Sequence, residues 1–373
     1  MIFGFRFGIE EEYFLVDRVT GLARGESPRA FWADLKRREP TASKELLQVQ
    51  VEATTPPCRS GGECLEALIA SRTVIDETAG AYGLGLLASG THPNFDWRDS
   101  VKSVGGRYTK LERHMRMLAP RNLFCGLHVH VEIPKEISRI SIMNRCAPYI
   151  PLFLAASVSS PFWRGQWTGM HGYRLTGYDE LPRTGLPPVF IDEMDFENFV
   201  AALQAADAIP DATFLWWAIR PSARFPTLEL RICDSVTNVR DAVAIGGFYR
   251  CLIYRLCRDQ DFGARPTPSL RAIAEENRWQ IQCDGLRATI IDVDSLRPIA
   301  AKDAIIKLID VLEADAHALG AEAELKEMRA LISRGPSADR QIEIMRNCLD
   351  CGLSMERTIA AIIEWLQAET LSV

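Results

Sequence analysis

Three consecutive carboxylates, Glu10, Glu11 and Glu12, interrupt the apolar run Phe5-Arg-Phe-Gly-Ile-Glu-Glu-Glu-Tyr-Phe-Leu-Val-Asp17. The aromatic and β-branched flanks favour an extended strand. Alternation along a strand sends Glu10 and Glu12 to one face, and Ile9, Glu11 and Tyr13 to the other. Paired carboxylates repel each other and lose hydration, which a stable fold tolerates where a cation compensates. Hard oxygen ligands suit Mg2+.

Three more segments alternate in the same way. In Gly126-Leu-His-Val-His-Val-Glu132, Leu127, Val129 and Val131 oppose His128, His130 and Glu132. In Thr227-Leu-Glu-Leu-Arg-Ile-Cys233, Leu228, Leu230 and Ile232 oppose Glu229 and Arg231. In Glu45-Leu-Leu-Gln-Val-Gln-Val-Glu52, Leu47, Val49 and Val51 oppose Gln48, Gln50 and Glu52. A merely solvated sheet face would mix Thr, Lys and Ser among its polar positions. Here Glu, His and Arg dominate. One antiparallel sheet follows, its apolar side under helices and its polar side lining a metal and phosphate cavity.

The elements that must hold this sheet are interleaved along the chain. Helices are expected over 28–38, 63–82, 143–160, 193–206 and 239–258, with a basic helix over 107–118. The stretch 163–189 is irregular and dense in Gly, Pro, Trp, Tyr and Arg, as active-site lids often are. Trp163, Trp167, Tyr173 and Tyr178 either line it or simply pack. A strand is expected over 213–219. Beyond Pro268 the pattern is helical, with breaks near Asp284, Pro298 and Gly335-Pro336. No flexible linker interrupts the chain, so residues 1–373 read as a single α+β catalytic domain whose 268–373 part is mostly helical.

Bulk composition narrows the function. At 373 residues, 47% hydrophobic and 25% charged, the chain is ordinary globular protein, not disordered or fibrous. A net charge of −6 with no Lys/Arg block argues against nucleic-acid binding. Nothing resembles a signal peptide, and the apolar stretch 150–162 is too short for a membrane span. Ten cysteines without framework spacing suggest free thiols in a cytoplasmic protein. Cys348 and Cys351 have CxxC spacing but no second pair. Smaller features read as structural: His92 orders the turn before Pro93, and Asp234 and Asn238 cap the helix beginning at Val239.

Five segments in order carry a family resemblance: Phe7-Gly-Ile-Glu-Glu-Glu12, Gly90-Thr-His-Pro93, Cys125-Gly-Leu-His-Val-His-Val131, Pro182-Arg-Thr-Gly-Leu-Pro187 and Arg220-Pro-Ser-Ala-Arg-Phe-Pro-Thr-Leu-Glu-Leu-Arg-Ile-Cys-Asp234. Together, across about residues 5 to 370, the chain resembles the YbdK-like carboxylate–amine ligases of the glutamate–cysteine ligase superfamily. The resemblance implies a glutamine-synthetase-like curved antiparallel sheet with flanking helices, binding ATP and Mg2+. It implies metal ligation by Glu10, Glu12, Glu45, Glu52, His128 and Glu229, with Glu11 facing away. It places His128 and Arg231 at the nucleotide, and gives Arg231 and Glu52 the catalytic roles; Arg220 and Arg224 are candidate cofactor-binding clamps for the phosphates or for the substrate carboxylate. His130 has no counterpart in that pattern and supports the site or is structural.

The implied activity is ATP-dependent joining of an amino-acid carboxylate, glutamate foremost, to an amine, by way of an acyl phosphate. Activity with glutamate and cysteine is expected to be weak. An ATP-dependent phosphotransferase or a non-catalytic nucleotide-binding protein are the alternatives on the same sheet. Small-molecule substrates are expected as partners, with no nucleic acid and no membrane, and a homodimer as the default assembly.

Overall fold

A computed structural model describes residues 4–103, 115–263 and 266–373. The acidic run forms β1 (Phe7–Asp17), the spine of a seven-stranded sheet. The other strands are β2 (Ser43–Lys44), β3 (Gln50–Thr54), β4 (Leu84–Leu87), β5 (Gly126–Glu132), β8 (Ile219–Pro221) and β9 (Thr227–Asp234). Two small hairpins lie apart from it, β6 (Phe162–Trp163) with β7 (Gln166–Trp167), and β10 (Thr289–Ile291) with β11 (Pro298–Ala300).

The sheet order is β2-β3-β1-β5-β9-β8, with β4 pairing the far end of β1. All of its pairings are antiparallel. Register makes the polar face continuous: Glu12 lies opposite Glu52, Glu10 opposite His128, His130 opposite Glu229, and Arg220 opposite Glu229. One irregularity breaks the ladder. Leu127 pairs Cys233 while Val129 pairs Leu230, so β9 carries an extra residue opposite His128, at Arg231–Ile232. Such bulges re-aim a side chain beside a site.

Ile9, Leu127, Val129, Val131, Leu228 and Leu230 project backward and are buried. Helices Gly61–Gly80, Ile150–Ser157 and Val239–Arg258 pack on that side. Each such side chain contributes about 1.5–3 kcal/mol on burial. This arrangement holds the carboxylate-bearing face rigid from behind.

Several details differ from the sequence expectation. Residues 45–49 form a turn, so Glu45 stands in a loop before a strand that begins only at Gln50. The expected strand over 213–219 is a 3-10 turn at Ala212–Phe214 followed by the short β8. The irregular 163–189 stretch contains the β6–β7 hairpin and a helix, Tyr173–Tyr178. The C-terminal third contains the β10–β11 hairpin. Asn238 does cap its helix, accepting from the Arg240 N–H, but Asp234 does not. Asp234 is buried instead, accepting from the Ser159 N–H and the Ser160 hydroxyl. The expected basic helix over 107–118 lies mostly outside the described residues. Among the described residues no helix is long and apolar enough to cross a membrane.

Candidate active site

The polar face of the sheet lines a cavity of about 330 Å³. Glu10, Glu12, Glu45, Glu52, His128, Glu229, Arg220, Arg224 and Arg231 all border it. Within it, two groups of three side chains bring their ligand atoms within 4.8 Å of one another: Glu10, His128 and Glu229, and Glu12, Glu52 and His128. Glu45 borders the cavity without joining either group. Glu11 lies on the opposite face, buried against Arg72, which donates to it from Nε at 3.0 Å and Nη2 at 2.6 Å.

Charges across the cavity are unevenly matched. Burial works to raise the Glu10 pKa, but the side-chain interactions with His128 and His130 outweigh it and hold the carboxyl well below the usual range. Burial likewise opposes ionisation of Glu229, yet the guanidinium groups of Arg231 and Arg220 keep it well below that range too. Glu52 has weaker help, from the Ser43 hydroxyl that donates to it at 3.2 Å. Burial, then repulsion from Glu45, Glu10 and Glu12, push its pKa well above the ordinary carboxylate value. A cation among these oxygens would relieve that crowding. His128 is pushed down, by burial and then by Arg231, so the neutral imidazole offers a lone pair to a metal.

The arginines divide by what they already hold. Arg220 grips Glu229 with two bonds, Nε at 2.8 Å and Nη2 at 3.1 Å, and donates from Nη1 to the Thr213 and Leu215 carbonyls. Its role is to fix Glu229. Arg231 donates to Glu229 on the same strand, stands 3.5 Å from His128 Nδ1, and its buried Nε has no hydrogen-bond partner among the described residues. Arg224 is exposed at the mouth. The loop bearing Arg224 is held by Arg139, whose Nη1 donates to the Ser222 and Phe225 carbonyls. His130 donates or accepts through Nδ1 at Thr227 Oγ1, 2.9 Å away, with its Nε2 3.3 Å from Glu10.

Sequence reasoning missed Arg139, Arg174 and Trp216. The last two line the cavity, as does Gln50, which the alternation had put on the polar face. Arg174 stands in the irregular stretch next to Tyr173, one position from an aromatic singled out for the lid. Of the four lid aromatics only Tyr178 borders the cavity; Trp163 stacks on Phe124 and Tyr173 tilts against Trp163. No period marks out Arg174 or Trp216. Cys348 and Cys351 belong to neither of the potential metal groups found among the described residues.

A curved antiparallel sheet, helices behind it and carboxylates, histidines and arginines in front define the glutamine-synthetase-like ligase architecture. Glutamate–cysteine ligase of Francisella tularensis, solved in complex with AMP, superposes with a TM-score of 0.68 over 99% of this chain and 89% of that one, at 13% identity. A bifunctional glutathione synthetase from Pasteurella multocida gives 0.67 over 98% of this chain and 53% of that one, also at 13% identity. The model of glutamate–cysteine ligase family 2 matches residues 6–358. The chain belongs to that family and, with it, to the ATP-dependent carbon–nitrogen ligases. Similar proteins named "Putative glutamate–cysteine ligase 2" include one from Bradyrhizobium diazoefficiens, 39% identical over 99% of this chain and 84% of its own length. Another, from Rhodospirillum rubrum, is 35% identical over 99% of this chain and 96% of its own.

Proposed function

We propose that this protein joins an amino-acid carboxylate, glutamate foremost, to an amine at the expense of ATP, through an acyl phosphate. The observation that carries the reading is the pair of three-ligand groups meeting at His128 under Arg231. A carboxylate does not condense with an amine in water, because its oxygen leaves poorly. In the proposed first step a carboxylate oxygen attacks the γ-phosphorus of ATP, and ADP leaves. In the second the amine nitrogen attacks the carbonyl carbon, inorganic phosphate leaves and the nitrogen loses a proton. Positioning and charge neutralisation supply most of the acceleration in phosphoryl transfer.

Glu10, Glu12, Glu52, His128 and Glu229 fit Mg2+ by donor type, and the repulsion of Glu45, Glu10 and Glu12 on Glu52 leaves negative charge for a cation to offset. Bound there, Mg2+ would supply positive charge to the phosphate oxygens and lessen repulsion of an incoming carboxylate. Arg231 would hold the migrating phosphoryl group with a planar, permanently charged donor set. Arg220 keeps Glu229 in place, and Arg224 at the mouth would meet the phosphate tail.

A matrix of amino acids and amines, scored by magnesium-dependent ADP release and mass detection of the amide, tests the reading. ADP release requiring both a carboxylate and an amine is the expected result. ADP release with a single acceptor and no amide would overturn it in favour of a phosphotransferase.

A further inference from the structure

The tip of the β8–β9 hairpin, residues 222–226, forms part of the cavity wall through Ser222, Ala223, Arg224 and Phe225. β8 ends the sheet, so it has a strand partner on one side only. Bonds within the tip set its shape. The Ser222 N–H donates to the Thr227 carbonyl at 3.0 Å, and the Ser222 hydroxyl accepts from the Arg224 and Phe225 N–H groups at 3.3 Å each. Such local bonds define a turn but not where it stands over the cavity. Two groups from outside do that. One is the Ile133 N–H, which donates to the Pro226 carbonyl at 3.0 Å.

The other is Arg139. It opens the helix Arg139–Cys146, which packs against β8 and against the Val239–Arg258 helix. The Ser138 hydroxyl caps that helix, accepting from the Ser141 N–H at 2.9 Å. From this fixed base Arg139 Nη1 lies 2.9 Å from the Ser222 carbonyl, 3.1 Å from that of Phe225 and 3.4 Å from that of Thr227. Those carbonyls bracket Arg224 on both sides along the chain. Among the described residues no other side chain donates to a carbonyl of residues 222–227. A permanently charged donor makes the stronger kind of hydrogen bond, and here it is directed wholly at the backbone of the tip. Arg139 itself is half-buried and stands outside the cavity lining.

We infer that Arg139 is a positioning residue for nucleotide binding, holding the 222–226 tip at the height where Arg224 meets the phosphate tail of ATP. The inference rests on the ligase reading and deepens it, since it names what sets the geometry of the mouth. Without Arg139 the tip would keep its turn but lose its fixed height, and Arg224 would be delivered less often to the phosphates. The two arginines then act as one unit, and the second substitution adds little once the first is made.

The test is a double-mutant cycle on the affinity for a non-hydrolysable ATP analogue, measured by calorimetry with Mg2+ present. Arg139→Met should weaken binding about tenfold, as the loss of a charged hydrogen-bonded group would. Arg139→Met combined with Arg224→Ala should bind within about twofold of Arg224→Ala alone. Arg139→Lys, which keeps one charged donor without the fork, should fall between wild type and Arg139→Met, and takes its place in the cycle if that variant does not fold. Unchanged affinity in Arg139→Met overturns the inference. So do losses that multiply in the double variant, because Arg139 would then act by a route independent of Arg224. Should the cycle show coupling while no pair of carboxylate and amine yields an amide, the inference stands for nucleotide binding and the ligase reading alone fails.

Discussion

Glu12 and Glu52 face each other across the β1–β3 pair, and repulsion from Glu45, Glu10 and Glu12 adds to burial in raising the Glu52 pKa. A carboxyl whose folded pKa is raised costs stability once ionised. That cost is absent below the ordinary carboxylate pKa and grows as pH rises above it. In EDTA at pH 8, Glu52→Gln should therefore unfold at a higher temperature than wild type, and the gap should close towards pH 4. Adding Mg2+ should reverse the order, raising the wild-type midpoint by about 2 °C or more and the variant's by less. Scanning calorimetry decides it. A variant no more stable than wild type in EDTA would mean that the crowding is already relieved within the protein.

Three adjacent glutamates meet opposite fates. Glu11 is buried on the helix side with Arg72, which also donates to the Val236, Thr237 and Thr370 carbonyls and so ties the sheet to two distant segments. Removing one partner of a buried pair leaves the other uncompensated, at a cost of about 3–5 kcal/mol. Arg72→Met should lose that much in urea unfolding. Glu11→Gln should lose less, since its amide still accepts from Arg72, and should keep magnesium-dependent ADP release per folded molecule. Glu10→Gln should show the reverse, near-native stability with ADP release abolished.

Period-two alternation was enough to separate Glu11 from its neighbours and to gather Glu10, Glu12, His128, Glu229 and Arg231 on one face, because strand geometry is local. Glu45 was placed on a strand by the same rule, and there the rule failed: residues 45–49 turn, and alternation cannot distinguish a strand from a loop of similar composition. The β9 bulge at Arg231–Ile232 and the cavity lining by Arg174 depend on contacts with segments far along the chain. Asp234 was misjudged for a related reason. Its position beyond the strand and just before the helix at Val239 suggested a cap, whereas its partners, Ser159 and Ser160, come from another part of the sequence.

His92 is buried as a neutral imidazole with both nitrogens engaged. Nε2 donates to the Gly21 carbonyl at 2.9 Å, and Nδ1 accepts from the Asn94 N–H at 3.2 Å. Burial lowers its pKa from 6.5 to about 4, against the opposing bond to Gly21. A second proton would go to Nδ1, where a donor already points. Because the folded pKa lies below the unfolded one, this contribution is intact above pH 6.5 and lost as pH falls towards 4, amounting to about 3 kcal/mol in full. Urea unfolding at pH 7.5 and pH 5 should show His92→Gln losing less stability between the two than wild type, by about 2 kcal/mol. Parallel losses would show that His92 does not titrate in this window.

Arg220 and Arg224 belong to one loop-and-strand segment but should fail differently. Arg220 acts through Glu229, and a lysine cannot reproduce the two-bond grip or reach both carbonyls it now caps. Arg220→Lys should raise the Mg2+ concentration needed for half-maximal ADP release by about tenfold and lower stability by about 1–2 kcal/mol. Arg224 is exposed, and among the described residues its guanidinium has no partner, so Arg224→Ala should leave stability within about 0.5 kcal/mol of wild type. Its effect should fall on the KM for ATP, and that effect should shrink as salt screens the mouth of the cavity. If Arg224→Ala instead raised the Mg2+ requirement with ATP affinity intact, the mouth and the metal group would be coupled, and the division of labour argued for these two arginines would be wrong.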